Sequence, residues 1–83
     1  MIADGMEMVT DEVWQAKARQ LLKRELAAKG IRYKELVDRL AAIGVKETVQ
    51  NITNKMHRGG FSAVFLLQVL EAIGCTKLLL DGE

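Results

Sequence analysis

The residues best suited to recognise a ligand are concentrated in one run, TVQNITNKMHR, between Thr48 and Arg58. Asn and Gln side chains can form paired hydrogen bonds with the edge of adenine, and Arg or Lys can do so with guanine. Thr hydroxyls and Lys ammonium groups can hold phosphates. This run, followed by Gly59 and Gly60, favours an interface with double-stranded DNA. A solvated helix that happens to be rich in amides is the alternative.

Residue types used in catalysis are scarce, because the chain has one histidine, His57, and one cysteine, Cys75. No Asp or Glu is adjacent to His57, and no metal-ligand spacing surrounds Cys75. General acid–base and nucleophilic chemistry need paired groups, and the chain lacks a phosphate-binding GxxxxGK loop. We therefore expect no enzyme, no metal site and no cofactor. His57 is expected at the surface, and Cys75 is expected to be a buried or half-buried structural residue.

The elements that must position the TVQNITNKMHR run are helices. Apolar residues recur at helical spacing in four segments, which end at Gly30, Gly44, Gly59 and Gly74, and no segment has the pattern of a parallel sheet. The pattern predicts an all-α fold, a compact bundle of four to five short helices. Trp14 is expected in the core with the leucines of the first helix.

Two further expectations concern the end of the chain. The fourth helix, AVFLLQVLEAIG, begins after Ser62 and is apolar nearly all round, so it is expected to be the most buried element. The tail CTKLLLDGE could form a short strand or another helical turn. Its three leucines are expected to pack on the core or against a second copy of the chain.

The third helix is predicted to begin near Val45, with Val45, Val49, Ile52 and Met56 forming its buried stripe. At 100° per residue, the opposite side carries amides, one cation and one acid, and Thr48 and Lys55 flank it. The residues on that opposite side are Glu47, Gln50, Asn51, Asn54 and Arg58.

Bulk properties indicate one small domain. The chain has 83 residues, of which 49% are apolar, and a net charge of +1. Positive charge is concentrated at residues 14–34, which sum to +6, and at residues 46–60, which sum to +2. Residues 1–9 are expected to be a flexible lead, and residues 10–83 a single helical domain. No signal peptide or membrane span is evident, and a cytoplasmic setting is expected.

The order of these elements resembles the lambda-repressor-like helix-turn-helix family of bacterial DNA-binding proteins. The resemblance rests on KEL opening the second helix, IGV before the third, MHRG closing it and LLQVLEAIG in the fourth, and it covers residues 14–74. The chain is also similar to a group of small, uncharacterised bacterial proteins of this type that share NK..RG.FSA.FLLQ. The resemblance implies that the second and third helices form a DNA-reading unit, with the helix at about residues 46–57 in the major groove.

The resemblance also bears on the start of the second helix. Family members usually place Ser or Thr before this helix and Gln at its start, where the Gln contacts a phosphate. Arg32 and Tyr33 occupy those positions here, so Tyr33 or Lys34 is expected to replace that contact. Val37 stands where a small Ala is usual, which predicts a wider crossing of the two helices, and the turn LAAIGV is about three residues longer than the common LGV.

The resulting hypothesis is a sequence-specific DNA-binding protein, a small bacterial transcriptional regulator that acts as a homodimer through its C-terminal region. The alternative is a helical protein-interaction module of the same fold with no DNA role. RNA binding is less favoured, because few aromatic side chains are available for stacking. The residues expected to contact DNA are Thr48, Gln50, Asn51, Asn54, Lys55, Arg58, Tyr33 and Lys34.

Overall fold

The structure is a computed structural model that describes residues 10–80, which form four helices and no strand. The prediction of an all-α fold is therefore confirmed. The predicted flexible lead, residues 1–9, lies outside the described residues, as do the last three residues of the tail. The helices are α1 (Asp11–Ala28), α2 (Tyr33–Ala42), α3 (Val49–Arg58) and α4 (Ala63–Ala72).

Each helix contributes a pair of buried side chains four residues apart. Such pairs lie on one side of a helix, one turn above the other, so four narrow stripes meet in a single core. Helix α2 packs against α3 and α4, and α1 packs against α3. Ile31 and Ile73, in the connections after α1 and α4, complete this core. The four pairs are Leu22 with Leu26, Leu36 with Leu40, Ile52 with Met56, and Phe65 with Val69.

Helices α1, α2 and α4 end in the same way. In each, a backbone amide beyond the helix donates to the carbonyl five residues earlier, which satisfies an otherwise unpaired helix terminus. The donors are Ile31, Val45 and Cys75. The predicted N-cap of α4 is confirmed, because the Ser62 hydroxyl accepts a hydrogen bond from the Phe65 amide at 3.0 Å.

Helix α3 is shorter than predicted. It begins at Val49 rather than near Val45, and residues 43–48 form the connection from α2. The Thr48 hydroxyl accepts a hydrogen bond from the Asn51 amide at 3.0 Å, so Thr48 is the N-cap. Val45 has helical spacing from Val49, but its amide is used to close the end of α2.

The expectation that Trp14 lies in the core is wrong, and so is the expectation that Val49 belongs to the buried stripe of α3, because Val49 is 44% exposed. Trp14 is 55% exposed, because the core stripe of α1 is formed by Leu22 and Leu26 and Trp14 lies on the adjacent side of the helix.

Helix α4 is buried or half-buried at six of its ten residues, but it is not enclosed on all sides, because Val64 and Leu67 are 63% and 65% exposed. A core built from one stripe per helix leaves the opposite side of α4 uncovered within residues 10–80.

The tail is neither a strand nor a helix over residues 75–80. The Arg24 guanidinium donates a hydrogen bond to the Leu79 carbonyl oxygen, which holds the tail against α1. Leu79 and Leu80 nevertheless remain 54% and 73% exposed. Within the described part of the chain, no helix combines the length and the apolar character needed to cross a membrane.

Candidate nucleic-acid interface

The exposed side of α3 carries the side chains whose types favour recognition of bases. Ile52 and Met56 are 0% and 2% exposed and fix the helix to the core. The side chains that point away from them are those of Gln50, Asn51, Asn54, His57 and Arg58, all exposed.

This α3 surface carries no exposed acidic side chain. Glu47 is the sole acidic residue between Lys46 and Ser62 in the sequence. The prediction that Glu47 lies on the outward side of α3 is wrong, because the helix begins after it and its side chain is 7% exposed. The surface is therefore compatible with an approaching polyanion.

Gln50 and Asn54 form a hydrogen-bonded pair one helical turn apart. The Gln50 Nε2 group donates to Asn54 Oδ1 at 3.1 Å. The pair leaves Gln50 Oε1 as an acceptor and Asn54 Nδ2 as a donor, both exposed. An acceptor and a donor side by side match the N6 amino group and N7 atom of adenine in the major groove.

Thr48 has a structural role in addition to the DNA contact expected of it. Its hydroxyl oxygen caps the first turn of α3 through the Asn51 amide.

Thr48→Ala should therefore lower the free energy of unfolding by about 1 kcal/mol, as loss of an N-cap usually does. Thr48→Ser should retain most of the stability that the cap provides, because it keeps the hydroxyl group. Urea unfolding followed by circular dichroism measures the difference, and an unchanged midpoint for Thr48→Ala would argue against the cap.

Lys55 is half-buried instead of facing outward. Its ammonium group forms an ion pair with the Glu47 carboxylate at 2.5 Å and lies 4.6 Å from the centroid of the Phe65 ring. The connection before α3 supplies the carboxylate and α4 supplies the ring, so Lys55 joins three parts of the fold. The phosphate contact expected of Lys55 stays a prediction.

The C-terminal end of α3 is fixed against the first half of α1. Gly59 is buried and has φ +70°, a left-handed conformation that ends the helix. A Cβ atom at this position would lie 2.5 Å from the backbone oxygen of Gln15, and one at Gly60 would lie 3.4 Å from Gln15 Nε2. Gly59 therefore allows the backbones of α1 and α3 to approach closely.

Tyr33 and Lys34 lie at the start of α2. Tyr33 is half-buried, and this burial raises the pKa of its phenol above its usual value. Lys34 is exposed and lines a surface depression of about 400 Å³ with Arg32, Glu35 and Asp38. The phosphate contact expected of Tyr33 or Lys34 stays a prediction.

Cys75 is half-buried, in agreement with its expected structural role. Its Sγ atom donates to Glu25 Oε1 at 3.5 Å and to the Lys77 carbonyl at 3.2 Å. Burial and the neighbouring Glu25 carboxylate raise the pKa of the thiol, which favours the protonated, weakly nucleophilic form. Among residues 10–80, no three His, Cys, Asp or Glu side chains are grouped to hold a metal ion.

Sequence reasoning missed the roles of Gln15 and Glu47. The available signal was Thr48, a residue type that favours N-cap positions and that separates Glu47 from the helix. Gln15 gave no signal, because it contributes its backbone to the contact with Gly59.

The chain belongs to the family defined by a domain of unknown function, DUF6471, whose model matches residues 14–78. The match includes all of α2, α3 and α4 and most of α1. No curated protein matches the chain, and no solved structure does.

Proposed function

We propose that this DUF6471 protein binds double-stranded DNA with sequence preference, as a small cytoplasmic transcriptional regulator of bacterial type. In this proposal α2 and α3 act as a helix-turn-helix, and α3 enters the major groove. The observation that carries the proposal is the α3 surface, where exposed amides and the exposed Arg58 guanidinium occur without an exposed acid while Ile52 and Met56 attach the helix to the core.

The polar groups of this surface divide into two roles. Gln50, Asn51 and Asn54 present amides, which read base edges, whereas Arg58 at the C-terminal end of α3 presents a charge suited to the phosphate backbone. Tyr33 and Lys34, at the start of α2, would add contacts to the phosphate backbone of the DNA. A surface helix that served solubility alone would be expected to use strong helix formers and pairs of opposite charge, which α3 lacks on this side.

The test is a titration of a labelled mixed-sequence duplex, followed by fluorescence anisotropy at several stated salt concentrations. Binding should weaken steeply as salt rises, because phosphate contacts release counterions. Arg58→Ala should weaken binding to all sequences and reduce the slope of log K against log salt by about 0.9 for the lost contact.

Lys77→Ala is the matched control, because it removes one exposed cation from a different part of the surface. Lys77 follows Cys75, which contacts Glu25, whereas α3 ends beside Gln15, about 15 Å away along α1. This control should bind as the unmodified chain does.

Absence of duplex binding by the unmodified chain, at low salt and on the order of 100 μM protein, would refute the proposal, since even non-specific DNA binding occurs in this range.

A homodimer through the C-terminal region is part of the proposal, because one small domain contacts few phosphates and two half-sites are normally needed. The exposed side of α4, with Val64 and Leu67, supports this arrangement. No charged residue occurs between Gly59 and Leu70, so two copies of this surface can meet without bringing like charges together. Leu79 and Leu80 add further exposed apolar surface.

Leu67→Lys should convert the dimer to a monomer, because two-fold symmetry would place two ammonium groups in an apolar contact. Val13→Lys, the same kind of change at an exposed position on α1, is the control. Analytical ultracentrifugation over a range of protein concentrations measures the result. A chain that remains dimeric after Leu67→Lys would exclude this side of α4 as the interface.

The second candidate, a protein-interaction module, is favoured by one observation. Trp14, Lys17, Ala18, Leu21 and Leu80 line an apolar groove of about 280 Å³ between α1 and the tail. Exposed aromatic side chains of this kind are common at protein interfaces. If the unmodified chain is folded but binds no duplex, this candidate replaces the first, and Trp14→Ala would then be the informative variant.

A further inference from the structure

Two cations in the last turn of α3, Lys55 and Arg58, lie in different environments. Lys55 is paired with Glu47, and the two side chains are 32% and 7% exposed. Arg58 is exposed and forms no ion pair with any group in the described part of the chain. A polyanion approaching α3 would therefore meet one available positive charge and one that is already compensated.

The compensation of Lys55 is difficult to reverse. One oxygen of Glu47, Oε1, is buried without any hydrogen-bond partner, so the stabilisation of this carboxylate depends on the contact between its other oxygen and Lys55. Removing one member of a buried ion pair leaves the other charge uncompensated. This costs far more free energy than breaking an exposed ion pair does. A DNA phosphate that recruited Lys55 would have to meet this cost.

We propose that Glu47 is a specificity-determining residue, which withholds the charge of Lys55 from the DNA backbone. This inference rests on the proposed DNA-binding function. Phosphate contacts strengthen binding to every sequence, whereas base contacts distinguish sequences. By keeping Lys55 in place against Phe65, Glu47 lowers non-specific affinity and leaves discrimination to Gln50 and Asn54. Lys55 is then a positioning residue and not a phosphate contact.

The decisive variant is Glu47→Gln, which keeps the shape of the side chain and removes its charge. Released from its partner, Lys55 should raise the affinity for mixed-sequence duplex and increase the salt slope by about 0.9 for each bound subunit. The double variant Glu47→Gln/Lys55→Met removes both charges and should return both quantities to those of the unmodified chain. A purely structural role of the pair predicts weaker binding for Glu47→Gln, not stronger.

Elution from immobilised heparin separates failure of this inference from failure of the proposed function. If the unmodified chain binds no duplex, the proposed function fails, while heparin still reports which cations a polyanion can reach. Glu47→Gln should elute at higher salt than the unmodified chain. The double variant should elute at the same salt as the unmodified chain. Elution of folded Glu47→Gln at the same or lower salt would overturn the inference.

A folding defect in Glu47→Gln would not prevent a decision. The double variant contains no uncompensated charge and then becomes the test. If it elutes at the salt of the unmodified chain, Lys55 contributed nothing to polyanion binding, as proposed. If it elutes earlier, together with Arg58→Ala, Lys55 was an accessible contact and the inference is wrong.

Discussion

Gly59→Ala should be strongly destabilising, because it combines two separate costs. The backbone at Gly59 has φ +70°, and a left-handed conformation costs a residue with a Cβ atom about 1–2 kcal/mol. The added Cβ would also lie 2.5 Å from the backbone oxygen of Gln15, and the shift needed to relieve such overpacking costs a further ~1–3 kcal/mol. An 83-residue protein has about 4–12 kcal/mol of total stability, so a substantial share of it should be lost.

Gly44→Ala is the matched control for this prediction. Gly44 also has a positive φ, +83°, but apart from its own chain neighbours no residue lies within 4 Å of a Cβ placed there. Gly44→Ala should therefore cost only the free energy of the left-handed conformation, about 1–2 kcal/mol. Chemical unfolding of both variants, followed by circular dichroism, measures the two costs. Equal losses of unfolding free energy for Gly59→Ala and Gly44→Ala would mean that α1 can move away from α3 at no cost. The close approach of the two helices would then not explain the need for Gly59.

The close approach at Gly59 also matters for the α3 surface. Helix α3 is held at two points, by Ile52 and Met56 in the core and by α1 at Gly59. The Thr48 cap stabilises its first turn. A helix that reads base edges must be held within a narrow range of orientations, since a small rotation moves every side-chain amide. The core contacts and the contact at Gly59 thus support the preorganisation that the proposed function requires.

The helices and their buried stripes could be predicted from the sequence because spacing four apart is a local signal. Leu22 with Leu26 and Ile52 with Met56 are visible as pairs in the sequence, and the structure buries both. The start of α3 could not be predicted in the same way. Val45 extends the apolar stripe by one turn, and spacing alone does not distinguish a residue in a helix from one that closes the preceding helix.

Burial on a particular side of a helix depends on which neighbours cover it, and this is not a local property. Trp14 and Leu67 are apolar residues at helical spacing, yet both are more than half exposed. The amide-rich side of α3 was predictable because Ile52 and Met56 determine its phase. The pairing of Lys55 with Glu47 was not, since it depends on where residues 43–48 place the carboxylate.

Gln50→Ala and Asn54→Ala should change sequence preference, and their effects should not add. Their side chains are joined by the hydrogen bond from Gln50 Nε2 to Asn54 Oδ1, so each amide orients the other. Either substitution should reduce discrimination against mismatched bases by about 1–3 kcal/mol, the usual value of a paired base contact. The double variant should lose little more than the larger single loss, with a coupling free energy on the order of 1–3 kcal/mol.

The measurement starts from selection on a random duplex library at a stated salt concentration, which identifies a preferred site. Titrations of that site and of single-base mismatches with the four chains of the double-mutant cycle then give the coupling. Arg58→Ala is the contrast, because it should weaken binding to matched and mismatched duplexes equally. Strictly additive losses would show that Gln50 and Asn54 act as independent contacts. An unchanged preference in both single variants would show that α3 is not the element that reads the sequence.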